Sequence, residues 1–103
     1  RSGGGMPGAP PDYISRLRAW LDRHKEYPRP ARMRREEGTA YLYFVISRDG
    51  TVLEFDLRKS SGFGSLDRAT VDMIKRASPL PEIPESMSVA KLELVIPVQF
   101  QLR

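Results

Sequence analysis

Val89-Ala-Lys-Leu-Glu-Leu-Val-Ile-Pro-Val-Gln-Phe-Gln-Leu102 is the stretch on which the fold turns. From residue 92 on, its even positions are Leu92, Leu94, Ile96, Val98, Phe100 and Leu102. Its odd positions are Lys91, Glu93, Val95, Pro97, Gln99 and Gln101. This period-2 alternation predicts one long β-strand with one face buried. On a helix the same even set would wrap right round the axis and bury no coherent face. Pro97 has no backbone N–H and cannot donate to a ladder, so the strand belongs at a sheet edge with that nitrogen turned outward. Backbone groups alternate sides along an antiparallel strand. Those of Glu93, Val95, Gln99 and Gln101 therefore share the outward phase of Pro97, and those of Leu94, Ile96, Val98 and Phe100 face the neighbouring strand. A long regular edge is a template for pairing with another chain, so this edge is either protected or used.

The rest of the chain supplies the sheet that this edge completes. Residues 1–11 are rich in Gly and Pro and read as a linker end; the start, Arg-Ser-Gly-Gly-Gly-Met, resembles a cut point or cloning scar, from which an anchor could have been removed. Asp12 is the expected N-cap of a helix from about Asp12 to Lys25, with Ile14, Leu17, Leu21 and His24 in its stripe and Tyr13 and Trp20 flanking it. His24 is expected to act as a dipole-stabilising cap at its end. Tyr27-Pro28 ends that helix, since the residue before proline is pushed out of the helical region. Arg29-Pro30 is expected to stay extended, with a helical turn over Ala31–Glu37 closed by Gly38.

Thr39–Ser47 reads as a strand that is apolar or aromatic on both faces, as a central strand would be. Asp49-Gly50 signals a hairpin turn. Val52–Lys59 follows, with Leu53, Phe55 and Leu57 expected inward. Ser65 is the expected cap of a second long helix, whose stripe is Leu66, Ala69, Thr70, Met73, Ile74 and Ala77. Pro79–Pro84 is a stiff connector into the last strand. The predicted fold is α+β: a two-layer, hairpin-based three-stranded sheet in the order second–first–third strand. Helices cover one face, an N-terminal helix is added, and a right-handed crossover joins the second strand to the third. Domain organisation reads as a helical extension at 12–26 and a core at 27–103.

Composition bounds the function. The 103 residues suffice for one small domain. No apolar run is long enough to span a bilayer, no signal peptide is visible, and the absence of cysteine excludes disulfides and thiolate metal sites. A net charge of +4 permits nucleic acid, anionic lipid or an acidic protein as partner. With one histidine and no Gly-rich phosphate loop, no catalytic, metal or cofactor constellation is found. A nucleic-acid-binding reading rests on Tyr41 and Tyr43 as a stacking surface, but the aromatic signature of an RNA-recognition strand is lacking.

Tyr27-Pro28-x-x-Ala31, Gly38, Asp49-Gly50, Ser60-Ser61-Gly62, Leu66-Asp67-x-Ala69, the Pro79–Pro84 connector and Ile96-Pro97-Val98-Gln99-Phe100, in this order and spacing, resemble the TonB C-terminal domain family. The likeness covers residues 27–103, and the preceding helix resembles the extension that some members, HasB-like ones included, carry. The second position after Tyr-Pro is often basic in the family and is Pro30 here, between Arg29 and Arg32. The resemblance implies the periplasmic end of a transducer anchored in the inner membrane of a Gram-negative bacterium and driven by an ExbB–ExbD complex. It implies a grip on the TonB box peptide of an outer-membrane transporter for siderophores, haem or vitamin B12. Tyr27, Pro28, Arg29 and Arg32 would lie beside that transporter, with Arg32, Arg34 and Arg35 steering toward an acidic rim. Strand addition would use Glu93, Val95, Pro97, Gln99 and Gln101. Two edge strands could also pair as a homodimer. A related periplasmic domain that bears load without gripping a transporter is the remaining alternative.

Overall fold

The computed structural model describes residues 10–102. The elements are α1 (Pro11–His24), α2 (Arg29–Met33), β1 (Gly38–Ser47), β2 (Val52–Lys59), α3 (Gly64–Ala77) and β3 (Lys91–Phe100). They form one three-stranded sheet in the order β2-β1-β3, with both pairings antiparallel. The sheet order and the edge position of β3 are as the sequence predicts. The linker expected at 1–11 lies mostly outside the described residues.

One apolar core joins the helices to one sheet face. α1 contributes Tyr13, Ile14, Leu17 and Leu21, and α3 contributes Leu66, Ala69, Thr70, Met73, Ile74 and Ala77. They meet Leu42, Phe44 and Ile46 of β1 and the even set Leu92–Phe100 of β3. Each large aliphatic or aromatic side chain so buried contributes about 1.5–3 kcal/mol. Tyr13 donates its hydroxyl to the Pro81 carbonyl at 3.1 Å, and Trp20 donates its indole N–H to the Ala77 carbonyl at 2.7 Å. These bonds tie α1 to the connector and to the end of α3. Burial pushes the Tyr13 phenol up to about 12, against the smaller opposing effects of Arg16 and Arg48.

Several helix boundaries differ from the sequence reading. α1 starts one residue earlier, because Pro11 fits the first helical position, where no N–H is needed. Asp12 is therefore in the first turn and caps nothing with its side chain. His24 is the last residue of α1, with its ring 5.1 Å from that of Trp20. α2 starts at Arg29 for the same reason: Pro30 sits in its first turn instead of holding the chain extended. It ends at Met33 rather than Glu37, and Arg35 (φ 56°) makes the left-handed reversal expected of Gly38. Gly38 instead opens β1, where a Cβ would lie 2.3 Å from the Ser61 carbonyl oxygen. Ser65 does not cap α3, which begins after Phe63; its hydroxyl bonds Glu36 Oε1 at 2.6 Å. Asp67, in the first turn of α3, accepts from the Ser60 hydroxyl and from the Ser61 N–H and hydroxyl.

The inward set expected for β2 is also corrected. The β1–β2 register skips a β2 residue twice: Ile46 pairs Val52 while Val45 pairs Glu54, and Leu42 pairs Leu57 while Tyr41 pairs Lys59. Leu53 and Arg58 are thus the extra residues of two bulges. Leu53 is 54% exposed, Val52 takes the position opposite Ile46, and Phe55 remains 37% exposed. The β1–β3 register has no such break, from Gly38↔Phe100 to Ser47↔Lys91.

Candidate functional site

The outer edge of β3 is the candidate site. β3 is shorter than the stretch that predicts it. At its start, the Val89 carbonyl is taken by Arg48 at 2.5 Å. At its end, β1 runs out opposite Phe100, and the Leu102 N–H is accepted by Glu37 Oε2 at 3.0 Å. Gln101 therefore stands one residue beyond the strand, where its side chain accepts from Gln99 Nε2 at 3.1 Å.

Two observations fix which backbone groups point outward. The Gln99 carbonyl accepts Lys25 Nζ at 2.6 Å, from the end of α1 and away from β1. The Leu102 N–H, one phase over, points to the β1 side, where Glu37 receives it. Odd residues of β3 are therefore turned outward and even ones bond β1. Pro97 lies opposite Tyr41; in this phase its missing N–H removes no β1–β3 ladder bond. The outward row is Glu93, Val95, Pro97 and Gln99.

The part of this edge from residue 96 to 101 opens into a groove of about 520 Å³ between α1 and β3. The buried Leu21 and Met73 form its floor; Arg18, Asp22 and Lys25 stand on the helix side and Pro97, Gln99 and Gln101 on the strand side. Tyr27 closes one part of the groove, its ring edge-on to Phe100 at 5.6 Å. The Tyr27 hydroxyl donates to the Glu36 carbonyl, so it is spent inside the molecule while the ring remains half-buried at the surface. Desolvation, then Glu37 and Glu36, hold that phenol above its ordinary range.

Beside it, Tyr27, Arg29, Arg32 and Met33 surround a second, shallower concavity. The Arg32 guanidinium lies 5.8 Å from the Tyr27 ring centroid, and Met33 is 77% exposed. Pro28 caps α2, its carbonyl accepting the Arg32 N–H at 2.9 Å. The structure thus gathers Tyr27, Pro28, Arg29 and Arg32 in one patch and Glu93, Val95, Pro97 and Gln99 along one edge, with the Tyr27 ring touching both concavities. Arg34 departs from the basic group: its Nε pairs with Glu36 Oε2 at 2.8 Å. The hydrogen bonds from Arg34 and Ser65 hold the Glu36 carboxyl below its ordinary range.

The two sheet edges are unlike. The β2 edge is broken by two bulges and carries Glu54, Asp56, Arg58 and Lys59, features that discourage pairing. The β3 edge is regular. On the helix-free face, Tyr43 donates to Glu93 Oε2 at 3.3 Å, and the Arg58 guanidinium lies 4.0 Å from the Tyr43 ring centroid. Tyr43 is thus engaged on the very surface that a stacking base would use. Among the described residues no three potential metal ligands cluster, and no helix is long and apolar enough to cross a membrane.

Sequence reasoning missed Lys25, which it treats as the tail of a helix, and Arg48, which it treats as a turn residue. Neither contact leaves a local signal. Lys25 reaches Gln99 across 74 residues, and Arg48 reaches Val89 across 41.

Comparison with known proteins agrees with this architecture. The family described as Gram-negative bacterial TonB protein C-terminal matches residues 23–102. Protein TonB of Pseudomonas putida is 37% identical over 83 residues, covering 80% of this chain and 34% of that protein. Protein TonB of Pasteurella multocida is 33% identical over 90 residues, covering 87% and 34%. The chain therefore spans about a third of the length of these curated relatives. The solution structure of the Helicobacter pylori TonB C-terminal domain, residues 179–285, superposes with a TM-score of 0.80 at 28% identity, covering 94% of this chain and 87% of that one. The HasB C-terminal domain superposes at 0.63 with 37% identity, covering 94% and 75%. Sheet order, the proline-bearing edge strand and these likenesses converge: the chain belongs to the family of TonB C-terminal domains of Gram-negative bacteria.

Proposed function

We propose that this chain is the gripping end of a TonB-type energy transducer. It takes a short extended peptide, the TonB box of an outer-membrane transporter, as a fourth strand on β3. The observation that supports this reading is the regular outward row of β3, unpaired by any further strand in the sheet order β2-β1-β3. Strand addition draws affinity from main-chain bonds and selectivity from alternate side chains. Glu93 and Val95 offer both donor and acceptor, Gln99 offers its N–H and a carbonyl that Lys25 holds, Pro97 offers only its carbonyl, and Gln101 extends the row past the end of the strand. Each bond nets about 1 kcal/mol, against several kcal/mol of association and ordering cost, so the isolated peptide binds weakly.

The Tyr27, Pro28, Arg29 and Arg32 patch lies beside the groove and meets the body of the transporter, its cations steering the encounter. The domain works in the periplasm. The ExbB–ExbD complex acts through parts of the protein outside this chain, and the force it delivers reaches the transporter through the guest strand. β3 is also the edge through which a homodimer would form, in competition with the guest.

NMR titration against peptides from the periplasm-facing N-termini of such transporters tests the reading. Amides of residues 91–100 shift at high micromolar to millimolar peptide. If no peptide moves any of them at millimolar concentration, the gripping role is wrong.

A further inference from the structure

The acceptor that a guest strand needs at Gln99 is already held. Lys25 Nζ lies 2.6 Å from the Gln99 carbonyl oxygen, 3.5 Å from Asp22 Oδ1 and 5.4 Å from the Phe100 ring centroid. The Asp22 carboxylate is largely exposed, its side chain 73% accessible, so that ion pair is weak. The Lys25 side chain is only 25% accessible; its stem lies against the groove and its head caps the edge. Other outward positions of β3 carry no such cap among the bonds formed by described residues, so Lys25 guards one register point of the edge.

We propose that Lys25 is the specificity-determining residue of strand addition, selecting a guest with an acidic side chain at the position that turns toward α1 beside Gln99. The inference rests on the strand-addition reading. In the free domain the ammonium spends its strongest bond on a neutral carbonyl. A guest N–H that joins the ladder at Gln99 competes for that oxygen and turns the ammonium into the groove, where Arg18 stands on the same wall. A guest carboxylate there receives it in a bond with both partners ionised, adding the attraction of opposite charges that the neutral carbonyl lacks. A guest amide or aliphatic group at the same position offers less, and such a guest must displace Lys25 without recompense. The lysine thus covers the edge against unselected strands, including a second copy of this chain, and rewards one class of guest.

The test uses the whole chain with a host peptide of alternating Val and Thr, acetylated and amidated, in which each position in turn carries Glu or Gln. Affinities are measured for the unsubstituted chain, Lys25→Met and Lys25→Arg at about 0.1 M salt. The Met variant keeps the stem on the groove and removes the charge. The unsubstituted chain prefers Glu over Gln in one phase of the peptide by about three- to fivefold, the range of a partly exposed ion pair. Lys25→Met brings that ratio to about one and binds the Gln peptides at least as tightly as the unsubstituted chain. Lys25→Arg keeps the preference. In the free proteins, the Gln99 carbonyl carbon resonance of Lys25→Met moves in the direction of a lost hydrogen bond.

A Glu-to-Gln ratio that is the same with and without Lys25, or a Met variant that weakens both peptides alike, overturns the inference and leaves strand addition standing. An unmoved Gln99 carbonyl resonance overturns the cap itself. If no peptide of the series shifts any β3 amide in any of the three proteins, strand addition falls and the inference falls with it.

Discussion

Arg48 places its guanidinium among four backbone carbonyls: Met87 at 2.7 Å, Val89 at 2.5 Å, Pro84 at 3.0 Å and Ile83 at 3.5 Å. The connector from α3 to β3 has no regular ladder of its own, and this half-buried side chain supplies its missing donors. Gly50 completes the joint. Its φ of 90° and the Leu80 carbonyl oxygen, 1.8 Å from where a Cβ would sit, restrict the position to glycine. The Asp49-Gly50 signal is legible as a turn, but its docking against Leu80 is not, because the partner is 30 residues away. Arg48→Ala removes this donor from the Ile83, Met87 and Val89 carbonyls, while Pro84 keeps the Met87 N–H at 3.0 Å, and destabilises the fold by about 2–3 kcal/mol. The loss is read in denaturant unfolding, together with faster exchange of the Ile83 and Met87 amides. Loss of stability without loosening at 83–87 would mean that Arg48 acts elsewhere.

Among the elements, the two edge strands differ in how much of them the sequence discloses. β3 is legible because its even side chains are all buried in an unbroken register and Pro97 fixes the backbone phase. β2 alternates as cleanly in sequence, yet two bulges shift its faces, and a bulge leaves no mark in a polarity pattern when the extra residue is itself apolar. Leu53 is that residue. Leu53→Lys therefore changes stability by less than about 0.5 kcal/mol, as exposed substitutions do, whereas a buried leucine replaced by lysine would cost several times more. Thermal or denaturant unfolding decides it, and a large loss would return Leu53 to the core. The short α2 departs from its sequence pattern for a related reason: a proline in the first turn of a helix and a proline in extended chain look alike in sequence.

For the whole molecule, the bulged and charged β2 edge resists pairing, while β3 presents a regular row whose end at residues 96–101 meets a groove walled by α1. The sequence shows where the free edge lies but not what faces it, because the wall depends on how α1 lies beside α3. On the proposed reading the guest is a transporter peptide, and Lys25 on Gln99 holds the edge before it arrives. The most direct measurement is amide hydrogen exchange on the domain, free and with a transporter-derived peptide. In the free domain the Val95 and Gln99 amides, which point outward, exchange fast, and those of Ile96 and Val98, bonded to β1, exchange slowly. Saturating peptide slows Val95 and Gln99 and leaves β2 unchanged. Slow Val95 and Gln99 amides in the free domain, or peptide protection that falls on β2 instead, would contradict strand addition at β3.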